Sequence, residues 1–467
     1  MRQMKGEVVV VGAGPAGLMA AREAVNRGAQ VTIIDEGAQP GGQIYRQAIV
    51  GSRGEPIGLK TERARKERVL ATYDEIEDKV DYLANSTAYS LFPGLELHVA
   101  WNGESRVMHP DAVVLATGVI ERAVPFPGWT LPGVVFAGGV QALLKAHGIR
   151  AGNRVVVAGA GPLPVVVASQ LTEAGAEVPC VALLNPLRTM LRKPAGLWAG
   201  LDVVREGLKY LRALRKAGVE RLDGWIPVRA HGDQTVRAVT LAQHDGNGRP
   251  LAGTERDVEC DVLALNFGFS ANSELARMAG TEVRFEPHQG GWIPQTDVFG
   301  RSSVKGVLVA GDAAGLRGAW VASAEGQIVG AAAAAIARGE EVESISSTLA
   351  PVFGQRYRHL RFQEAVQESL RLPDGVWSWA DADTICCRCE SVTRAQLERA
   401  ISDGHNTLNA LKRNTRAGMG WCAGRICGHT MAALASGNRL LPEIEPMTPR
   451  PVARPVVLGD IARQTQC

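Results

Sequence analysis

Short apolar runs that end at glycine recur along this chain. Residues 7–11 contain four consecutive valines and residues 154–158 contain three, and each run leads directly into a glycine-rich turn and then a helical pattern. Residues 307–309 form a third run of this kind. Unbroken apolar runs are typical of parallel strands that are covered on both faces. The pattern predicts an α/β fold, and the two glycine-rich turns predict two Rossmann-like dinucleotide-binding domains.

Other periodicities predict the elements between these strands. Residues 60–83 are charged and helical in pattern, and residues 95–101 before Asn102-Gly103 predict a hairpin. The alanine-rich stretch 330–336 predicts a buried helix, and residues 353–370 predict a further one.

One predicted surface helix carries a basic face. Its apolar positions recur at helical spacing and are expected to pack inward: Leu201, Val204, Leu208 and Leu211. Its basic positions lie beside them: Arg205, Lys209, Arg212 and Arg215. The ordinary interpretation is a solvated basic face, and the alternative is a surface that docks an acidic partner.

The first glycine turn has the features of a dinucleotide site. Its positions are Gly12, Gly14, Pro15, Ala16 and Gly17. Glycines allow a tight turn and close approach of a pyrophosphate, which the N–H groups of the new helix can bind. The next strand ends in Asp35, at the distance expected for a ribose ligand, with Glu36 as the alternative.

The second glycine turn departs from this pattern. Gly159 and Gly161 are present, but Pro164 stands where a third glycine would allow close packing of helix and strand. The position equivalent to Asp35 falls near Ala182. We therefore predict a degenerate nicotinamide-nucleotide fold, although Arg188 and Arg192 keep NADPH binding open.

Four cysteines near the C-terminus form two close pairs. Cys387 and Cys389 are separated by one residue, and Cys422 and Cys427 by four. Four thiolates can hold an iron–sulfur cluster. Structural zinc is the alternative, but its ligand pairs usually have two to four intervening residues. A pairing of Cys386 with Cys389 is also sterically conceivable.

These residues resemble those of known families. The stretch 385–428 resembles the bacterioferritin-associated ferredoxins, which implies a [2Fe-2S] cluster on Cys387, Cys389, Cys422 and Cys427. Three other stretches are Gly41-Gly42-Gln43 (the GGQ loop), residues 113–118 and residues 307–312 (the distal motif). They resemble the flavoproteins that include thioredoxin reductase and the sarcosine oxidase α subunits. They imply FAD contacts at Gly42, Gln43, Thr117, Gly118, Gly311 and Asp312. Tyr45 and Arg46 follow the second of these positions and could line the flavin ring. Residues 135–139 lack the redox cysteine pair of thioredoxin reductases.

The motifs predict the domain organisation. Residues 1–122 and 290–345 form the FAD domain, 123–289 the nicotinamide-type domain, 346–375 a helix and linker, and 376–440 a small helical cluster domain. Residues 441–467 form a tail with five prolines, which is expected to be extended and either disordered or laid along another polypeptide of an assembly.

Bulk properties agree with an intracellular oxidoreductase. The 467 residues carry a net charge of +3, which is too small to indicate nucleic acid binding. We recognise neither a signal peptide nor an apolar run of membrane-spanning length. Eight cysteines, four of them assigned to a cluster, indicate a reducing compartment. The expected location is cytoplasmic, with peripheral attachment at the inner membrane face as an alternative.

The order of the motifs, together with residues 127–133 and 291–297, resembles the α subunits of opine oxidases, D-hydroxyproline dehydrogenase and hydrogen cyanide synthase. This resemblance implies an electron-transfer subunit of an amino- or imino-acid dehydrogenase. It also implies an amino-acid-oxidase-like flavoprotein β subunit that oxidises the substrate C–N bond. A second flavin at the interface between subunits, a small third subunit and a downstream electron acceptor are further implications.

No catalytic residue is assigned on this chain, since His147, His288 and His405 are isolated in sequence and are interpreted as structural. Two other functions stay open. One is a self-sufficient NAD(P)H-dependent reductase, and the other is a cluster-based redox sensor or assembly scaffold.

Overall fold

A computed structural model describes residues 6–49 and 57–466. Its first sheet is parallel and has five strands in the spatial order Val307–Val309, Ala112–Leu115, Glu7–Val11, Gln30–Ile34 and Val80–Leu83. The helices Pro15–Asn26, Lys60–Asp74 and Gly318–Arg338 belong to the same unit. The stretch 60–83 is thus not wholly helical, because its end supplies the edge strand Val80–Leu83.

A second parallel sheet has the order Glu220–Asp223, Cys180–Leu183, Val155–Gly159, Val262–Asn266 and Val134–Phe136. An antiparallel sheet of Trp225–His231, Ala238–Gln243 and Arg256–Glu259 adjoins it. Two short strands, Val119–Glu121 and Phe269–Ala271, pair where the chain crosses between the two parallel sheets. Two Rossmann-like units in one chain confirm the predicted α/β class.

The predicted hairpin is confirmed. Glu96–Trp101 and Glu104–Met108 pair antiparallel, and Asn102 and Gly103 both have positive φ angles of 51° and 80°. Positive φ at both central residues is the requirement of a type I′ turn. Thr87–Phe92 completes this meander.

The proline-rich tail corrects an expectation, because it packs on this chain itself. The Ala453 N–H donates to the Tyr89 carbonyl at 2.7 Å, and Arg454 pairs with Glu36 at 3.2 Å. After a short helix, Leu458–Ala462, the strand Gln464–Gln466 adds in parallel to Glu104–Met108. Without the tail, Glu104–Met108 would be an edge strand of this sheet with unpaired backbone N–H and C=O groups. The extended tail strand provides hydrogen-bond partners for these groups.

The helix Leu201–Lys216 is also oriented differently from the prediction. Tyr210 and Leu214 are buried, whereas Leu201 and Leu208 are 38% and 45% exposed. Helical spacing alone did not identify the buried face, because apolar residues occur on both sides of this helix.

The remaining elements follow the expected order. The long helix Ser346–Leu370 begins earlier than predicted. The C-terminal unit has the strands Ile385–Cys387 and Val392–Thr393 and the helices Arg394–Ser402, Leu408–Thr415 and Gly428–Ala435. Shorter elements are Ala137–Ala142, Leu143–His147, Leu163–Glu173, Leu187–Arg192, Pro194–Ala199, Glu274–Met278, Val283–Glu286 and Gly291–Pro294.

The predicted alanine-rich helix is confirmed as a core element within Gly318–Arg338. Among the described residues it is the one helix whose length and composition would allow it to cross a membrane, and 72% of its most apolar window is buried inside the fold. Two of its glycines permit close contact with the first helix, since a Cβ at Gly326 or Gly330 would lie 2.2 Å from the carbonyl oxygen of Ala16 or Ala20.

A buried carboxylate ties this helix to its surroundings. Glu325 receives hydrogen bonds from Arg317 and Arg356 and from the Gly311 N–H, and its side chain is 6% exposed. Buried charges are stable only when they are paired, so removal of one leaves its partners uncompensated.

Substitution Glu325→Gln is expected to lower the free energy of unfolding by about 3 kcal/mol, because two largely buried guanidinium groups lose their counter-ion. Chemical denaturation measures this change. The matched control is Glu340→Gln, whose pair with Arg338 is at the surface and should change stability by less than about 1 kcal/mol. Equal effects of the two substitutions would contradict the proposed role of Glu325.

Candidate functional site

The first glycine turn is built by close backbone approach. Gly12 has φ of +106°, and a Cβ there would lie 2.4 Å from the Ala116 carbonyl oxygen. A Cβ at Gly17 would lie 1.7 Å from the Gly12 carbonyl oxygen. Pro15 begins the helix that follows, and Ala16 is buried within it. Only glycine permits the helix to pack this closely against the strand, which leaves its first N–H groups facing the turn.

The GGQ loop lies against this turn. The Gly41 N–H donates to the Ala13 carbonyl at 2.8 Å, and a Cβ at Gly42 would lie 2.8 Å from the Gly14 Cα. A cradle of bare backbone therefore forms between two loops that are distant in sequence. It fits the pyrophosphate of a dinucleotide, which needs backbone donors and little side-chain bulk.

Asp35 lies beside the cradle and organises it. Its carboxylate accepts hydrogen bonds from the Ala13 and Gly37 N–H groups at 2.5 and 2.6 Å. Burial is the main influence on this group and raises the pKa of Asp35 above its ordinary value, although both N–H bonds oppose the rise. Glu36 points elsewhere, since it pairs with Arg454 of the tail.

The residues after the GGQ loop differ in exposure. Gln43 is exposed and accepts a hydrogen bond from Arg46 at 2.5 Å. Tyr45 is 6% exposed and packs in the core of the first unit. Burial raises the pKa of its hydroxyl.

The strand-end motif at Thr117 and Gly118 is held by a residue that the sequence did not single out. The Thr117 hydroxyl donates to the Asn272 carbonyl at 2.7 Å, and the Asn272 side chain donates to the Thr117 carbonyl at 2.9 Å. Asn272 follows the crossover strand Phe269–Ala271, so its role depends on tertiary structure. No local motif could have identified it.

The distal motif lies at the opposite side of the same sheet edge. Asp312 is half-buried, and its Oδ1 accepts hydrogen bonds from the Arg317 and Gly318 N–H groups at 2.8 and 2.7 Å. Burial raises the pKa of this carboxyl. Both bonds use Oδ1, so Oδ2 is the oxygen that would meet a ribityl hydroxyl. Gly311 has φ of +68°, and a Cβ there would lie 2.8 Å from the Ala16 Cβ.

The second glycine turn is covered by the chain itself. A Cβ at Gly161 would lie 2.3 Å from the Leu370 Cδ2, so this leucine sits directly on the turn. The Asn185 side chain, just beyond the strand Cys180–Leu183, donates to the carbonyls of Ser369 and Arg371 at 3.2 and 2.6 Å. The end of the helix Ser346–Leu370 thus occupies the place where a nucleotide would bind.

The predicted NADPH arginines lie at the edge of this arrangement. Arg192 is 3.8 Å from Glu368 of the same long helix, and Ala182 is fully buried in its strand. Arg188 lies on the short helix Leu187–Arg192.

The four predicted cluster cysteines come together as two pairs. Cys387 interacts with Cys427, and Cys389 interacts with Cys422. Among the described residues, no three cysteine, histidine or acidic side chains are grouped closely enough to hold a single metal ion. Cys427 is also close enough to Cys389 and Cys422 to be influenced by both, so the four thiols form one group that fits a two-iron cluster with two cysteines on each iron.

The backbone around Cys387 favours its thiolate. The Cys427 thiol and the N–H groups of Gly418, Glu390 and Cys389 donate to its sulfur, which lowers the pKa of Cys387 to about 6. Cys386 points away and donates to the Thr384 carbonyl at 3.8 Å, and burial raises the pKa of its thiol to about 12. The geometry therefore favours Cys387 over Cys386 as a ligand.

A glycine brings the two cysteine loops together. A Cβ at Gly420 would lie 2.2 Å from the Cys389 Cβ and 3.3 Å from its sulfur. Gly418 and Gly424 lie against Met447, which closes the loop from the tail side.

An aromatic contact joins the cluster loop to the first unit. His429, two residues after Cys427, is 3% exposed and lies 5.3 Å from Trp292 between ring centroids. Its Nδ1 is 3.3 Å from the Ser270 hydroxyl, and its Nε2 has no hydrogen-bond partner among the described residues. Burial lowers the pKa of His429 well below its ordinary value, so its ring is neutral. The Trp292 indole N–H donates to the Ile444 carbonyl at 2.8 Å.

The three isolated histidines are spread over the structure. His147 and His288 are exposed, and His405 is half-buried at the start of a loop in the C-terminal unit. Their assignment as structural residues stays a prediction.

Comparison with known proteins assigns the class of protein. Residues 6–339 match the family described as pyridine nucleotide-disulphide oxidoreductase, and residues 385–436 match the BFD-like [2Fe-2S] binding domain. These matches confirm FAD and a [2Fe-2S] cluster as the cofactors.

Individual relatives define the group more narrowly. Hydrogen cyanide synthase subunit HcnB of Pseudomonas aeruginosa is 34% identical over 427 residues, which are 90% of this chain and 90% of that protein. An opine oxidase subunit from Agrobacterium tumefaciens is 33% identical over 98% of this chain and 91% of its own length. The chain belongs to the pyridine nucleotide-disulphide oxidoreductase family, within the group that contains these two proteins.

A solved structure supports the whole architecture. L-proline dehydrogenase from P. horikoshii superposes with a TM-score of 0.67 at 21% identity, covering 98% of this chain and 79% of that one. Thioredoxin reductase from T. acidophilum covers 73% of this chain with a TM-score of 0.51 at 20% identity. At these identities the likeness concerns the fold.

Substitution Cys387→Ala is expected to abolish cluster binding, whereas Cys386→Ala should retain it, because only the Cys387 sulfur faces the other three. The measurement is iron per chain in the purified protein, with about two irons expected for an intact cluster. Equal loss in both variants, or loss in Cys386→Ala alone, would contradict this assignment.

Substitution Gly420→Ala is expected to reduce bound iron severalfold, since the new methyl group cannot share space with the Cys389 Cβ at 2.2 Å. Iron content and the visible absorbance of the cluster report the outcome. Gly354→Ala is the matched control, because a Cβ there meets nothing within 4 Å. A Gly420→Ala protein with full iron and an unchanged spectrum would show that the loop approach is not required.

Proposed function

We propose that this chain is the electron-transfer subunit of a heteromeric dehydrogenase that oxidises the C–N bond of an amino or imino acid. In this proposal a partner flavoprotein holds the substrate, and this chain takes the electrons away through its FAD and its cluster. The observation that carries the proposal is the contact of Leu370 with Gly161, which fills the second dinucleotide cleft.

The filled cleft argues against a nicotinamide nucleotide as electron donor. A pyrophosphate on the second turn would need the space above Gly161 that the Leu370 side chain occupies. The strand end that would carry a ribose ligand has the apolar residues Ala182 and Leu183, and Asn185 just beyond it caps the end of the long helix. Removing this segment would also uncover apolar surface, since Leu372 and Val376 are buried in the core of the second unit. We therefore expect electrons to arrive from another protein.

The two cofactor sites are joined by packed structure. Pro15, Ala16 and the N–H groups of the first helix would face the FAD pyrophosphate, with Asp35 at its ribose and Asp312 at its ribityl chain. The four cysteines would hold the cluster. When bound, FAD can exchange two electrons and the cluster one at a time. His429 of the cluster loop contacts Trp292, and the Gln289 carbonyl three residues earlier accepts from the Leu316 N–H of the distal motif loop at 2.9 Å.

The names of the relatives support the proposed substrate class. Those that cover most of this chain are named as subunits of opine oxidase and hydrogen cyanide synthase, and more distant ones as the α subunit of sarcosine oxidase. Amino- or imino-acid oxidation is the chemistry these names share. The amino-acid-oxidase-like β subunit, the interface flavin, the small third subunit and the cytoplasmic location stay predictions.

The test is an anaerobic visible spectrum of the purified chain with its flavin and iron quantified. We expect NADH and then NADPH to leave flavin and cluster oxidised, while dithionite bleaches both. Addition of the co-purified partner with its amino or imino acid should then reduce this chain.

Two outcomes would contradict the proposal. Rapid bleaching by NADH or NADPH would identify a self-sufficient reductase despite the filled cleft. Flavin and cluster that bleach with dithionite but never with partner and substrate would favour the sensor or scaffold function.

A further inference from the structure

The surface above the cluster loops combines exposed apolar and basic side chains. Trp421, adjacent to the ligand Cys422, is 82% exposed, and Met419 is 43% exposed. Cys389 is itself exposed, so one edge of the cluster would lie at this surface. We call this surface the cluster-edge face and define it by Arg388, Cys389, Arg413, Arg416, Met419 and Trp421.

The face is continuous because its two loops touch. Arg416 pairs with Glu390 at 2.8 Å across the loops, and Gly420 lies against Cys389. The Met419 N–H donates to the Arg416 carbonyl at 2.9 Å. Arg413 lies one helical turn before Arg416, on the helix Leu408–Thr415.

The charged side chains around the cluster edge are predominantly basic. Arg388, Arg413 and Arg416 are exposed. One of these three arginines, Arg416, forms an ion pair with Glu390. The Arg388 guanidinium stacks over Trp129 at 5.1 Å from the ring centroid, which fixes this charge beside the cysteine pair. A basic face attracts acidic partners and accelerates their encounter, an effect that salt screens.

An exposed tryptophan beside a redox centre also points to a protein partner. Tryptophan and arginine are the residues that most often anchor protein interfaces, and weak redox encounters use small contact areas. An acceptor that leaves after each electron requires this kind of brief, electrostatically guided contact.

We propose that the cluster-edge face is the docking site of an acidic one-electron acceptor protein, with Trp421 as its apolar anchor. The inference rests on the proposed electron-transfer function. Each encounter passes one electron from the reduced cluster to the acceptor, which is reduced as the cluster is oxidised. No bond forms or breaks.

The test uses the full holoprotein with its cluster reduced chemically, so it does not depend on the dehydrogenase partner. Stopped-flow absorbance follows re-oxidation by plastocyanin, an acidic copper protein, and separately by cytochrome c, a basic haem protein. Ferricyanide serves as a small acceptor that needs no protein interface. We expect the plastocyanin rate to fall as salt rises and the cytochrome c rate to rise.

Two substitutions test the face itself. Arg413→Glu and Trp421→Ala should each slow plastocyanin about tenfold at low salt, a reduction within the range of electrostatic steering for the arginine, while ferricyanide rates stay within about twofold. Matched controls outside this face are Arg221→Glu and Trp198→Ala, whose side chains are 45% and 75% exposed. Electron paramagnetic resonance of the reduced cluster checks that each variant keeps its cluster. If Trp421→Ala does not, Arg413→Glu decides alone.

The proposal is overturned if plastocyanin and cytochrome c respond alike to salt, or if the face variants and the control variants behave identically. It is also overturned if the dehydrogenase partner, once isolated, protects Trp421 from solvent in the assembled complex. These results differ from failure of the proposed function, which would appear as reduction by NADH or as absence of reduction by partner and substrate.

Discussion

The contact of Leu370 with Gly161 positions the segment of the chain that begins with the helix Ser346–Leu370 and leads to the cluster unit. It fixes the end of the 25-residue helix Ser346–Leu370 on the second glycine turn, and Asn185 secures the helix carbonyls that would otherwise lack partners. From that point Leu372, Val376 and Trp377 enter the core of the second unit. The cluster unit then begins at Ile385, whose carbonyl accepts from the Trp129 indole at 2.7 Å. The second Rossmann-like unit thus holds the start of the [2Fe-2S] unit in place.

The same glycine motif has opposite roles in the two units because different structure covers it. The first turn is met by another backbone loop at Gly42, which leaves a cradle without side chains. The second is met by a leucine side chain. Because glycine has no side chain, either a backbone loop or a leucine side chain can pack against the turn. The glycine motif alone therefore does not predict which of the two will be found there. Cofactor binding has to be judged from the element opposite the turn.

This distinction explains how far the sequence could be interpreted. Local chemistry was sufficient for the hairpin at Asn102-Gly103, for the buried alanine-rich helix and for the class of fold, because turn residues and apolar runs act over a few positions. Contacts between residues that are far apart in the sequence could not be predicted from local patterns. Asn272 at Thr117, Leu370 at Gly161 and the return of the tail to Tyr89 all join residues more than one hundred positions apart. The exposed face of Leu201–Lys216 was missed because apolar residues lie on both of its sides.

Electron transfer between two centres weakens steeply with distance, so the cluster unit has to be held in place. It is fixed from three directions. Trp129 holds it to the second unit, Trp292 holds the tail that closes its loop, and the Arg425 guanidinium donates to the Ala453 carbonyl at 3.1 Å. Ala453 is in turn bound to the meander of the first unit at Tyr89. Through Ala453, the proline-rich tail therefore connects the FAD unit to the cluster loop by two hydrogen bonds. The proposed electron-transfer function needs such a fixed separation between FAD and cluster. A reductase that binds a nicotinamide nucleotide would instead need the cleft at Gly161 to open.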